Sequence, residues 1–149
     1  MPVFEISQTF SRGLKEVFDF FTQPARVLLA SPPELHLHLE EAPECLCLGA
    51  RVAVRGRHWG IPHRAVSEVT LFEPDVQFVE EQREGPFRRW VHTHRFEAVE
   101  AGVLVRDHID FEPPGGILGL TITAARVLRD LEWVFGYRRA RLEELLTAP

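Results

Sequence analysis

Residues 119–146 read GLTITAARVLRDLEWVFGYRRARLEELL, and this stretch decides the architecture. Leu120, Ala124, Val127, Leu131, Val134, Arg138, Leu142 and Leu145 recur every three or four positions, with Leu128, Phe135 and Leu146 beside them. That spacing is the apolar stripe of an amphipathic helix. At about 1.5 Å per residue, a helix over 119–146 is roughly 42 Å long. Such a rod is too long for the base of a small sandwich. It predicts a helix laid across a whole curved sheet that wraps around it.

Upstream the apolar period changes to two. Leu35, Leu37 and Leu39 alternate with His36, His38 and Glu40, Val52 and Val54 follow, and residues 66–72, 76–82, 87–98 and 103–111 continue the series. Turn signals at Gly60, Glu73-Pro74-Asp75, Gly85-Pro86 and Ala101-Gly102 divide them. Connections this short join antiparallel strands, since parallel ones need a crossover of a dozen or more residues. The expectation is a meander of about six strands. Ahead of it, Phe4, Ile6, Gln8 and Phe10 alternate as a half-buried strand. Ser11 is expected to cap a short helix carrying Leu14, Val17, Phe18 and Phe21, which stops before Pro24, with further helical turns over 26–30. The fold class is therefore α+β, with about seven strands, two short helices after the first strand, and one long C-terminal helix.

A chain of 149 residues fits one domain, here 1–149. With 45% hydrophobic and 26% charged residues it has an ordinary globular composition, which excludes disordered, collagenous and coiled-coil chains. A net charge of −5 argues against a nucleic-acid partner. No apolar run reaches the ~18–20 residues of a membrane span, and the N-terminus lacks signal-peptide order. The expected localisation is cytoplasmic. Cys45 and Cys47 are too close together for an ordinary disulfide, consistent with a reducing compartment.

Residues 74–116, PDVQFVEEQREGPFRRWVHTHRFEAVEAGVLVRDHIDFEPPGG, carry a more specific pattern: Phe78, Glu80, Gln82, Gly85-Pro86-Phe87, Trp90, His92-x-His94-x-Phe96, Asp107 and Pro113. This resembles one branch of the START / polyketide-cyclase-like (SRPBCC) superfamily, found as small free-standing proteins and as a domain fused to epimerase-like "cell division inhibitor" proteins. Glu80 stands where that branch more often has Asp. The resemblance implies a helix-grip fold with a hydrophobic cavity between the long helix and the concave sheet face. It leaves activity open, because the superfamily includes lipid carriers, hormone and quinone binders and cyclases.

A three-residue loop from Gly85 to Phe87 would set Gln82 opposite Trp90, Glu80 opposite His92 and Phe78 opposite His94. A two-residue turn at Ala101-Gly102 would set Phe96 opposite Asp107, His94 opposite Ile109 and His92 opposite Phe111. One face then collects Glu80, Gln82, Trp90, His92, His94 and Asp107 among apolar residues. Carboxylates beside histidines in an apolar cleft form acid–base pairs, and equally form buried polar clusters that order a sheet. Phe78, Gln82, Trp90, Phe96, Ile109, Phe111, Leu120, Ala124, Val127, Leu131, Val134 and Arg138 are the expected ligand-contacting residues. Arg138, the one charge on the helix stripe, reads either as an anchor for a carboxylate or phenolate or as a partner for an inward acid such as Glu80. The facing of His63 and Arg64 is open.

His36, His38, Cys45 and Cys47 lack the spacing of a zinc module, so the cysteines read as small core residues. No nucleotide-binding or serine-hydrolase motif is present, and neither metal nor cofactor is expected. Three functions remain: binding of a small hydrophobic or amphipathic ligand (lipid, quinone or polyketide-like), a cyclase or dehydratase using Glu80, His92, His94 and Asp107, or an interaction domain whose cavity its own side chains fill. Trp133, on a helix face with Ile122, Arg129, Gly136 and Ala140, suggests a homodimer surface.

Overall fold

The sheet is antiparallel throughout, and short turns at residues 59–60, 74–76, 85–88 and 100–101 join most of its successive strands. In the computed structural model, which describes residues 2–147, β1 (Val3–Phe10) is followed by α1 (Leu14–Phe21) and α2 (Pro24–Val27). Six strands come next: β2 (His38–Glu41), β3 (Arg51–His58), β4 (Ile61–Glu73), β5 (Gln77–Glu84), β6 (Arg89–Val99) and β7 (Gly102–Glu112). A one-turn α3 (Leu118–Thr121) and the long α4 (Ala124–Thr147) complete the chain. The sheet order is β1-β7-β6-β5-β4-β3-β2. No helix among the described residues is long and apolar enough to cross a membrane.

Two apolar clusters separate the helices from the sheet. One gathers Phe10, Val17, Phe18, Phe21, Phe78 and Phe96 with Leu142 and Leu146 of α4. The other joins Phe4, Ile109, Phe111 and Ile122 to Val127, Leu131 and Phe135. α4 is also tied to β1 by polar bonds: Arg139 Nη2 donates to the Ser7 carbonyl at 2.7 Å, and Gln8 Nε2 to the Arg139 carbonyl at 2.9 Å.

Several local expectations need correction. The long helix starts at Ala124, not Gly119, because Ile122 leaves helical geometry (φ −99°, ψ 83°) to bury its side chain, while Thr123 Oγ1 accepts from the Arg126 N–H. Its 24 residues span about 36 Å. Leu120 therefore leaves the stripe and is 79% exposed, and Ile122 is buried rather than on the Trp133 face. α1 is entered through Gly13 without a side-chain cap, so Ser11 does not serve. Residues 33–35 form a 3₁₀ turn ended by His36 in the left-handed region, and only 38–41 pair as a strand. Cys45 and Cys47 are exposed rather than small core residues.

The β5–β6 pairing matches the expected register, with Glu80 opposite His92 and Phe78 opposite His94. The β6–β7 register differs by two residues: His94 faces Asp107, His92 faces Ile109 and Trp90 faces Phe111. Gly102 pairs with Val99, so the turn is Glu100-Ala101. A Cβ at position 102 would collide with the Phe10 carbonyl oxygen, and this close approach of β1 places the glycine in the strand.

Candidate functional site

Between the two apolar clusters the sheet and α4 do not close. The gap forms a cavity of about 310 Å³ lined by Leu35, Leu37, Val54, Ala65, Trp59, Phe87, Trp90, Val127, Leu131 and Val134, with Arg57, His58, His63, Ser67, Gln82 and Asp130 as its polar members. A second chamber of about 170 Å³ lies beside it, and Val54 belongs to both walls. Here the lining mixes Phe21, Val27, Leu28, Leu39 and Val52 with Glu80, His92, His94 and Arg138.

Strand pleat delivers the polar residues of this chamber. His92 and His94 are two apart on β6, so both face inward, with rings stacked at 3.7 Å between centroids. Hydrogen bonds then run diagonally. His92 Nε2 donates to Asp107 Oδ1 at 2.7 Å, and His94 Nε2 to Glu80 Oε2 at 3.0 Å. His94 Nδ1 lies 3.2 Å from the same Asp107 oxygen but out of line, an electrostatic contact rather than a hydrogen bond. The directly opposed pair, Glu80 and His92, is not the bonded one.

The four groups divide into charged and neutral forms. Burial opposes the charge on Asp107, but the hydrogen bond from His92 and the charges of His92 and His94 overcome it and hold the carboxyl far below its usual range. Glu80 is likewise pushed up by burial and brought below its ordinary value by the His94 bond and by the charges of His94, His92 and Arg138. His94, buried but flanked by Asp107 and Glu80, is raised. For His92, burial reinforced by the neighbouring His94 charge wins over Asp107, and its pKa falls to about 4. His92 is thus neutral near pH 7 with its proton on Nε2, leaving a lone pair on Nδ1. Glu80, His92 and His94 also bring three metal-ligating atoms within 4.8 Å of one another. An ion there would have to displace the His94 Nε2 proton that is donated to Glu80.

Of the residues expected at a ligand site, Gln82, Trp90, Val127, Leu131 and Val134 line the apolar cavity, and Glu80, His92, His94 and Arg138 line the polar chamber. Asp107 sits behind the histidines against β1 and α4. Phe78, Phe96, Ile109 and Phe111 are packed core, and Ala124 packs half-buried on the second cluster. Leu120 contacts neither chamber. His63 reaches the apolar cavity, whereas Arg64 pairs outside with Glu40 (3.1 Å) and Glu84 (3.5 Å).

The β3–β4 hairpin supplies a group that sequence reasoning missed. His58 pairs with Ile61, so Trp59-Gly60 is a two-residue turn, and both have positive φ (53° and 77°). Such turns favour Asn-Gly; a tryptophan there is strained. Asp130 of α4 holds it, accepting from Trp59 Nε1 at 2.7 Å and from His58 Nε2 at 3.2 Å. Trp133, 41% exposed, stacks on His58. A Trp-Gly pair at a hairpin tip was the available signal.

A long helix held by a curved antiparallel sheet of seven strands is the α+β helix-grip fold. Solved structures share it along nearly their whole length. A protein from Chromobacterium violaceum superposes with a TM-score of 0.77 at 11% identity, covering 99% of each chain. A Thermus thermophilus protein gives 0.66 at 18% identity, over 97% of this chain and 92% of that one. Ara h 8.0201, a Bet v1-like helix-grip protein, gives 0.68 at 12% identity over 98% of each chain. At these identities the likeness is one of fold alone. No protein-family model matches the chain, and no curated protein matches it.

Proposed function

We propose that the chain is a single START-like (SRPBCC) domain, of the branch also found fused to epimerase-like proteins, that binds a small hydrophobic or amphipathic ligand between sheet and α4. The observation that carries this reading is the apolar cavity of about 310 Å³. It is within the size range of small-molecule sites, roughly 300–1,000 Å³, and combines apolar walls with a few polar groups. A chain that needed this volume only for its own packing would lose favourable contacts by leaving it open. The Bet v1-like fold, which commonly binds hydrophobic ligands, supports the same reading.

Uptake of a neutral probe, N-phenylnaphthylamine, tests it. The wild type should bind the dye in a saturable way, and Val134→Trp, which fills the cavity from α4, should abolish binding while the fold is kept. Absence of uptake by the wild type would remove the reading.

A cyclase- or dehydratase-type reaction is the second reading, favoured by the buried network on the polar chamber. Neutral His92 is the group able to accept a proton through Nδ1, and His94, whose protonated form Glu80 and Asp107 favour, is the group able to donate one. His92→Gln would then keep dye uptake and lose turnover.

A further inference from the structure

Among the described residues lining the polar chamber, Arg138 is the charged group without a polar partner. Glu80 is engaged by His94, and Asp107, behind the wall, by His92. The Arg138 guanidinium lies over the Phe135 and Phe21 rings, 5.1 and 5.8 Å from their centroids. Those contacts involve its charge and leave its N–H donors unused. Both Nε and Nη2 are buried without an acceptor. These two nitrogens form one edge of the guanidinium, and two parallel N–H groups on one edge match the two oxygens of a carboxylate. A buried donor left unmet is costly, so an acceptor placed there is favoured.

The rest of such a ligand has a place to go. Along α4, Val127, Leu131 and Val134 line the apolar cavity and Arg138 lines the polar chamber, and Val54 belongs to both. Val127 and Arg138 are separated by eleven residues of one helix, roughly 16 Å along its axis. An extended molecule lying along the helix would have its apolar body in one chamber and its head in the other.

Resting on the binding reading above, we propose that the ligand is a carboxylic acid with an apolar chain, its carboxylate held by the Arg138 edge and its chain in the larger cavity.

Decanoic acid and decanol, which differ only in the head group, test this by displacement of N-phenylnaphthylamine at pH 8. The wild type should bind the acid at least roughly tenfold more tightly than the alcohol, the worth of a charge-assisted bidentate contact. Arg138→Gln should lose that preference while keeping its affinity for decanol. Arg138→Lys, which retains charge without the fork, should keep only part of it. If both probes bind the wild type equally, the carboxylate assignment is wrong and the binding reading stands. If the dye binds but neither probe displaces it, the assignment is also wrong. If dye, acid and alcohol all fail to bind, the binding reading itself is wrong. Should Arg138→Gln not fold, the wild-type ratio and the lysine variant decide.

Discussion

His94 stands between two carboxylates, and its loss should be felt at both. His94→Phe keeps the ring and leaves Glu80 and Asp107 without their shared partner, so unfolding free energy should fall by about 3–5 kcal/mol. Glu80→Gln in that background should restore part of it. His92→Phe should cost less, because Asp107 still has His94 at 3.2 Å, and its rescuing change is Asp107→Asn rather than Glu80→Gln. Urea unfolding of these variants checks the pairing; equal losses with rescue by the wrong partner would mean that the diagonal bonds are misassigned. The same residues set a pH dependence. His92 is depressed to about 4, so between its ordinary value near 6.5 and 4 the unfolded chain binds more protons. Stability therefore rises with pH through that window, by about 3 kcal/mol in all. Glu80 and Asp107, both depressed, add stability present above their ordinary values and lost at still lower pH. His94 is raised, so its contribution is complete below about 6.5 and is lost as pH climbs through its folded value. Denaturant midpoints across pH 4–9 should peak near neutrality and be flattened on the acid side by His92→Phe.

At the level of elements, what the sequence disclosed and what it hid have the same cause. Placing Glu80, His92, His94 and Asp107 on one face was correct even though the β6–β7 register was two residues off, because strand side chains repeat every two residues and a slip of two preserves the face. Which histidine bonds which acid depends on the slip, and no local signal in Ala101-Gly102 reports the approach of β1 that determines it. Leu35, Leu37 and Leu39 all reach the chambers although residues 33–37 are not strand; the alternation recorded burial rather than backbone pairing. The Trp59–Asp130 contact was illegible because its partners are 71 positions apart. That contact fastens the hairpin tip to α4 at the cavity wall. Asp130→Ala should therefore speed dye release by about fivefold, the equivalent of one hydrogen bond of ~1 kcal/mol, and lower the unfolding free energy by at least a similar amount. Stopped-flow displacement measures it, and an unchanged release rate would detach the hairpin from ligand exchange.

For the whole molecule, two properties are decided by surfaces and volumes rather than by single contacts. Trp133 and Tyr137, one turn apart on α4, remain 41% and 40% exposed, even with His58 stacked on the indole. If this face joins two copies, sedimentation velocity should show a dimer that Trp133→Glu converts to monomer; a monomeric wild type removes the face from the account. The cavity is the larger matter, since an apolar space of about 310 Å³ between sheet and helix is the ground for the function proposed. Native mass spectrometry of the protein purified from its own cells tests it most directly. The expected result is a population carrying one additional small-molecule mass, released by organic extraction and absent from the cavity-filled Val134→Trp variant. A protein of bare polypeptide mass in every preparation, joined to a wild type that takes up no neutral dye, would contradict it.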